Sequence, residues 1–259
     1  MWPYGGACLF SPLVLGHMTK KEQLKKVLKL HELFKRGKIP TLAKHEVHPK
    51  LVKGSRENYL YFTLPPCINF QRQSPAMWAS ALKTWNDPAT NYLFFPEKIA
   101  GKSRKQIQKD LLKHKLALQL NKHTDIWIAV SKAFAVHFKN DPRELFKRAD
   151  WDVASIHRII QQEMRKDFPY ISGPKMANYW LYILSHFTNA KFKNMHEISI
   201  IPDTHVLQSS VKLGLTTTAT TPVEVAQVWK ELLDGSTVTP VEMHPVLWNW
   251  SRNNFLPEV

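Results

Sequence analysis

Apolar residues recur along most of the chain with the 3.6-residue period of an amphipathic helix. In residues 19–35, for example, Leu24, Val27, Leu28 and Phe34 are spaced in this way among lysines. Similar patterns predict further helices over residues 103–121, 124–138, 152–166 and 221–234. Strand-like alternation is scarce, and we find no repeat of roughly 20–50 residues. The pattern therefore predicts an all-α domain of about ten helices, with two helical lobes around a cleft.

The composition adds a strong positive charge to this picture. Among 259 residues, Lys and Arg number 36 and Asp and Glu number 21, so the formal net charge is +15. Because 44% of the residues are apolar, the chain can form a packed core, and the excess charge belongs to a folded surface that attracts polyanions. Nucleic acid is the first candidate partner, and an anionic membrane surface or a ribosomal setting is the alternative.

Several classes of protein are excluded at this point. The two cysteines, Cys8 and Cys67, are too few for a disulfide scaffold, a four-cysteine zinc site or a four-cysteine iron–sulfur cluster. No apolar run reaches the roughly 18–20 residues of a membrane span. Residues 1–17 contain no charged Lys, Arg, Asp or Glu and lack the basic start of a secretory signal. We interpret them as a disordered extension or a start-site artefact. The predicted domain is then 18–259, and we expect it in the cytoplasm and nucleoid, or in a nucleus, and not secreted.

A predicted helical hairpin over residues 168–187 is the first part of the most informative segment. Gly173 lies in a short turn, and Pro174 suits the first position of a new helix. We expect the backbone amides of Ile171, Ser172 and Gly173, with the positive end of the second helix behind them, to bind a DNA phosphate.

Two side chains of this region are candidates for catalysis. Lys175 comes in the first turn of the second helix, where it is either a nucleophilic amine or a point charge that binds phosphate. Asp203 follows Pro202 and precedes the apolar residues Val206 and Val211. That pattern predicts a loop, an N-cap and a helix, so the alternative for Asp203 is helix capping alone.

Together these motifs resemble those of the helix-hairpin-helix DNA glycosylases, which include endonuclease III and the adenine and 8-oxoguanine glycosylases. The family pattern is a hairpin that ends in Gly-x-Lys, then a helix, then a loop of the form Val-Pro-Val-Asp-x-His-Val. Residues 173–175 (Gly-Pro-Lys) match the first part. Residues 201–206 (Ile-Pro-Asp-Thr-His-Val) match the second, without the residue that usually separates proline from aspartate. The chain also has Ile171 in place of the first hairpin glycine, and a longer gap between the two motifs than endonuclease III has.

The resemblance implies roles for individual residues. Lys175 would form a Schiff base with the sugar, and Asp203 would be the essential carboxylate. His205 would approach a phosphate near the damaged base. Tyr179, one helical turn after Lys175, would help to form the base pocket.

A turn earlier in the chain resembles the family's Gln-rich turn, which fills the gap left by an extruded base. The resemblance implies that four of its residues contact DNA: Asn69, Gln71, Arg72 and Gln73.

Three residues towards the end of the chain are further candidates. Lys212 lies about two turns after His205 on the predicted helix, and it is either a phosphate contact or a solvated surface lysine. Trp248 and Trp250 are candidates for stacking on the base, with core packing as the alternative for at least one of them.

The resemblance implies a base-excision-repair DNA glycosylase that also cleaves abasic sites. Its expected substrate is 8-oxoguanine or another oxidised purine in double-stranded DNA, bound by a monomer with no role for a membrane. The expected chemistry needs no redox cofactor, no resident metal is expected, and two cysteines are too few for the iron–sulfur cluster of endonuclease III. The resemblance does imply a monovalent cation on the hairpin carbonyls. Two alternatives stay open: a catalytically inactive helix-hairpin-helix protein that binds DNA by structure, and a monofunctional glycosylase in which Lys175 only contacts phosphate.

Overall fold

The computed structural model describes residues 18–41 and 46–259, so the prediction for residues 1–17 lies outside the described residues. Within these ranges the chain is helical, and its one β-type pairing is an isolated bridge between Asp152 and Lys193. The predicted all-α class is therefore confirmed. None of the helices in these two ranges is both long and apolar enough to span a membrane.

The described residues form twelve α-helices, joined by loops and short 3₁₀ or π turns. The helices are α1 (Lys20–Lys35), α2 (Arg56–Thr63), α3 (Ser74–Asn86), α4 (Pro96–Ile99), α5 (Arg104–Lys113), α6 (Leu120–His137), α7 (Pro142–Arg148), α8 (Val153–Arg158), α9 (Pro174–Phe187), α10 (Thr204–Lys212), α11 (Pro222–Leu233) and α12 (Pro240–Arg252).

Polar caps fix the starts of most predicted helices. The Thr19 side chain accepts a hydrogen bond from the Glu22 amide, and Glu22 reaches back to the Thr19 backbone. Thr221 and Glu224 form the same capping box at the start of α11. These reciprocal bonds satisfy amides that a helix start otherwise leaves without partners, so the predicted starts of α1 and α11 are confirmed.

The helix predicted over residues 103–121 is wrong, because two helices occupy this segment. Helix α5 ends at Lys113 and α6 begins at Leu120. Between them Lys115 has a left-handed backbone with φ of 56°, which breaks the helical path. Leu116 lies in this loop and is 0% exposed. An apolar residue that is buried in a loop leaves the same sequence pattern as one that is buried in a helix, so the pattern predicted a single helix.

The buried apolar side chains form two separate clusters, which define two lobes. The first lobe consists of α2–α9, and its cluster includes Tyr61, Trp78, Trp127 and Trp180. The second lobe consists of α1 and α10–α12, with Trp229 in its cluster. The chain passes from the first lobe to the second after α9, and α1 packs with the helices of the C-terminal region.

His123 is fully buried in the first lobe, and this gives a pH-dependent contribution to stability. Its Nδ1 accepts a hydrogen bond from the Leu118 amide at 3.1 Å, which leaves the neutral ring with its proton on Nε2. Burial lowers the pKa of His123 to about 4, and the charges of Arg72 and Lys122 add to this shift. The unfolded chain takes up this proton near pH 6.5, about 2–3 units before the folded chain does.

We therefore predict that His123 alone reduces the free energy of unfolding by about 2–3 kcal/mol as the pH falls from about 7 to about 4. His123→Asn keeps an acceptor for the Leu118 amide but cannot titrate. Denaturant unfolding of the two proteins should show a smaller pH dependence for the variant over this interval. Parallel curves for the two proteins would contradict the assignment.

Candidate active site

The hairpin before α9 uses its own amides internally. The amides of Ile171, Ser172 and Gly173 donate to carbonyls within residues 168–170, at 2.9, 3.0 and 3.0 Å. The Ile171 side chain is also 0% exposed. Each of these amides therefore already has a partner inside the turn, and the contact of these three residues with a phosphate stays a prediction.

The amides available to an anion lie one step further along the chain. Gly173 is the N-cap of α9 and Pro174 is its first residue, with no side chain that caps the helix. The backbone amides of Lys175 and Met176 donate to no acceptor among the described residues. They point out of the positive end of a helix, which makes the first turn of α9 a candidate position for an anion.

The tight turn itself centres on Tyr170. This residue has φ of 67°, a left-handed conformation that side chains rarely adopt. Its ring packs against Phe70 at 4.3 Å, and its hydroxyl donates to the Asn69 carbonyl at 3.1 Å. Gly173 has an ordinary φ of −64°, but a Cβ there would lie 3.1 Å from the Tyr170 carbonyl. The glycine is therefore needed for close backbone approach.

An open concavity of about 500 Å³ lies on this hairpin, with Arg165, Tyr170 and Lys175 among its lining residues. Its size falls within the range of small-ligand sites, about 300–1,000 Å³. Lys175 is exposed and is the member of the predicted catalytic pair that lines this concavity.

Asp203 is the N-cap of α10, as predicted. Its Oδ1 accepts a hydrogen bond from the Val206 amide at 3.0 Å. Its Oδ2 lies 3.9 Å from Nε2 of His244, and 26% of the Asp203 side chain is exposed. One carboxylate oxygen therefore holds the helix start, and the other faces a histidine of α12.

His244, on α12, faces Asp203, and its side chain is only 15% exposed. Burial lowers its pKa, which the charges of Lys175 and His205 lower further, whereas Asp203 and the Ile201 backbone act in the opposite direction. Of the two predicted catalytic groups, Asp203 is thus the one that lies beside this ring.

Asn178 ties the two lobes together one turn after Lys175. Its amide nitrogen donates to the Pro174 carbonyl at 2.7 Å, and its amide oxygen accepts from the Ser199 amide at 3.0 Å. Asn178 is only 8% exposed. Because a buried amide that loses a partner destabilises the fold, this side chain fixes the loop that leads to Asp203 against the start of α9.

His205 is also held by α12. Its Nδ1 lies 3.1 Å from the Ser251 hydroxyl, and its ring meets Trp248 edge-on at 5.4 Å. The Arg252 guanidinium lies over the Trp248 ring, 4.7 Å from its centroid. Half-buried Trp248 thus lies close to the Asp203 loop and remains a candidate for the base pocket.

The other aromatic candidates are used for packing. Trp250 is 2% exposed and donates its indole N–H to the Pro257 carbonyl at 2.9 Å. Its predicted place in a base pocket is therefore wrong, because it belongs to the core of the second lobe. The Tyr179 hydroxyl lies 2.8 Å from the Ser74 hydroxyl and 3.0 Å from Nε1 of Trp78. This hydroxyl anchors α9 to α3, and only the half-buried ring of Tyr179 stays a candidate for base contact.

The predicted Gln-rich turn joins a 3₁₀ turn to α3 and lies against the hairpin through Asn69. Gln71 and Gln73 are exposed, and Gln71 has a left-handed φ of 53° and bonds to Gln119. The role of these two residues in DNA contact stays a prediction.

Arg72 of the same turn has a different environment. Its guanidinium donates to the carbonyls of Lys115 and Leu116 at 3.2 and 2.7 Å, and burial lowers its pKa. This side chain therefore holds the turn to the loop between α5 and α6, and its contact with DNA stays a prediction.

Lys212 lies at the far end of α10 from Asp203, with its Nζ 6.0 Å from the centroid of the Phe255 ring. It is not brought to the site, and its phosphate contact stays a prediction. The expected monovalent cation would need oxygen ligands on the hairpin. The Ile171 and Ser172 carbonyls receive no backbone hydrogen bond from the described residues, so these two oxygens fit such an ion.

Sequence reasoning missed both His244 and Asn178. His244 follows Met243 and precedes Pro245 in an apolar stretch. A titratable residue in such a stretch is a sequence signal that could have identified it as a candidate. Asn178 falls on the same face of α9 as Pro174, but nothing in the sequence indicates that its partner is the Ser199 amide. His244 lies on α12 and faces Asp203, whereas Asn178 lies on α9 and bonds to the loop before Asp203. Because the partners in each contact are distant in the sequence, local patterns carry little information about them.

No family model and no curated protein matches this chain. What the site does must therefore be inferred from its own geometry and from the motifs that supply its residues.

Proposed function

We propose that this chain is a helix-hairpin-helix DNA glycosylase with abasic-site β-lyase activity, and that it excises 8-oxoguanine or another oxidised purine. The observation that carries the proposal is the buried Asn178 side chain, which joins the segments that carry Lys175 and Asp203. Its amide nitrogen donates to the carbonyl of Pro174, next to Lys175, and its amide oxygen accepts from the amide of Ser199, four residues before Asp203. Two motifs that are distant in the sequence are thereby held together.

The proposed chemistry needs an amine and a carboxylate at one sugar. After the damaged nucleotide is flipped from the duplex, the neutral amine of Lys175 attacks C1′ and the bond from C1′ to the base breaks. Positive charge develops on the sugar in the transition state, and the Asp203 carboxylate stabilises it. The resulting aminal opens at the bond from C1′ to O4′ and gives a Schiff base. The Schiff base permits β-elimination, which cleaves the strand 3′ to the lesion.

Three further features support duplex DNA as the partner. The net charge of +15 favours a polyanion. The Lys175 and Met176 amides, beside a concavity of about 500 Å³, offer a phosphate a place next to the proposed nucleophile. The exposed Gln71 and Gln73 lie on a turn joined to the same hairpin.

We predict that sodium borohydride traps a covalent complex between the protein and a duplex that contains an abasic site. Reduction converts the Schiff base into a stable amine, so the adduct should appear on a denaturing gel. Lys175→Gln should abolish it, with a loss of more than about 100-fold, because no other group replaces the nucleophile. Lys132→Gln, which changes an exposed lysine of α6, is the matched control and should trap as the unchanged protein does.

The same assay separates the alternatives. Base release from an 8-oxoguanine duplex with no adduct and no cleavage until alkali is added would indicate a monofunctional glycosylase. Binding of damaged duplex with neither adduct nor base release, over a panel of single-lesion duplexes, would indicate a DNA-binding protein without catalysis and would overturn the proposal.

Asp203 has a second, separable prediction because its two oxygens do different things. Asn is as good an N-cap as Asp, so Asp203→Asn should keep the hydrogen bond to the Val206 amide and change the melting temperature little. Its loss of charge should slow single-turnover base release by about 10²–10³-fold. Asp203→Ala should slow the reaction similarly and also lower the free energy of unfolding by about 1 kcal/mol. An Asn variant that retains full activity would show that capping is the only role of this residue.

A further inference from the structure

Helix α1 carries an excess of positive charge that the proposed active site does not use. Residues 18–38 contain eight Lys and Arg residues and two acidic ones. Both acidic side chains are used within the helix, because Glu22 closes the capping box with Thr19 and Glu32 pairs with Arg36. The lysines of α1 that form no ion pair with any described residue are Lys20, Lys21, Lys25, Lys26, Lys29 and Lys35.

The placement of these lysines does not favour the stability of the helix. Lys20 and Lys21 lie in its first turn, where the positive end of the helix disfavours cations. Lys21, Lys25 and Lys29 are exposed and follow one another at four-residue spacing, and like charges at this spacing repel one another. Because this arrangement weakens the helix, an anionic partner explains it better than stability does.

We propose that the exposed lysines of α1 bind the phosphate backbone of duplex DNA and form a second surface outside the proposed active site. The inference goes beyond the proposed function, because contacts with phosphates need no damaged base and carry no sequence information. The stripe of Lys21, Lys25 and Lys29 extends over about 12 Å of the helix. Each strand of duplex DNA carries about three phosphates over that length.

The surface extends to the end of α10. Gln23 of α1 donates to the Gly214 carbonyl at 3.0 Å, which fixes α1 beside that end. Lys26 and Lys212 line one cavity of about 230 Å³, in whose lining Glu258 is the acidic side chain. Lys212 lies away from the proposed active site, and it therefore has its place as a phosphate contact on this second surface.

An anionic membrane is the other partner that a basic helix can have, but the packing of α1 favours DNA. Helices that bind at a membrane surface insert their apolar face among the lipids. The apolar face of α1 is covered by the core of the second lobe, since Val27 and Leu30 are 0% exposed and Leu24 and Leu28 pack on the same cluster. The lysine face remains, and it can act through charge alone, as in non-specific DNA binding.

The triple variant Lys21→Gln, Lys25→Gln and Lys29→Gln tests this surface through the salt dependence of binding to an undamaged DNA duplex. Each phosphate contact that is lost should reduce the slope of log K against log salt concentration by about 1. The slope should therefore become shallower by about 3 in the triple variant. Arg at the same three positions keeps the charge and should keep the slope.

The matched control removes the same net charge from other parts of the chain. It replaces three exposed lysines that form no ion pair with any described residue by Gln: Lys83, Lys132 and Lys191. Its slope should stay within about 1 of that of the unchanged protein. A control that lowers the slope as much as the triple variant would show that net charge alone is responsible, and this would overturn the inference.

An unchanged slope in the triple variant would also overturn it. So would a triple variant that still binds the duplex but no longer binds vesicles of anionic lipid, since the lysines would then belong to a membrane surface. The triple variant should melt at the same temperature or higher, because the charges that it removes repel one another. If it does not fold, the three single variants decide, each with a slope expected to be shallower by about 1, and three unchanged slopes would contradict the inference. Failure to trap an adduct on an abasic-site duplex would instead refute the proposed function, because binding of undamaged duplex involves no reaction.

Discussion

The buried amide of Asn178 is the contact on which the proposed site depends. It bonds to the Pro174 carbonyl at 2.7 Å and to the Ser199 amide at 3.0 Å, and so it joins the first turn of α9 to the segment that enters the second lobe. Lys175 lies within that first turn, and Asp203 lies four residues beyond Ser199. This clamp is a specific polar tie between the segments that carry the proposed amine and the proposed carboxylate.

The internal hydrogen bonds of the hairpin change how it can hold DNA. Because the amides of residues 171–173 are already paired, the Lys175 and Met176 amides are the more suitable partners for the phosphate that the proposed function requires. A phosphate in that position would lie next to the side chain of the proposed nucleophile.

The sequence predicted those features that local chemistry determines. The cap at Asp203 and the helix starts at Thr19 and Thr221 depend on hydrogen bonds between residues three positions apart, so the local sequence pattern indicates where these helices begin. It could not predict that Leu116 is buried by a loop, since burial in a loop and burial in a helix leave the same apolar residue. The sequence also could not predict contacts between distant segments. Arg72 bonds to backbone carbonyls in the loop after α5, and Asn178 bonds to the Ser199 amide. Because every residue has such backbone groups, the sequence does not show which ones become the partners.

The central claim is that the amine at position 175 is the group that reacts at the sugar beside Asp203. Peptide mapping by mass spectrometry of the borohydride-reduced complex with an abasic-site duplex tests this most directly. The account predicts a single modified peptide, with the sugar remnant on Lys175. An adduct on another lysine, or one spread over many surface lysines, would contradict it.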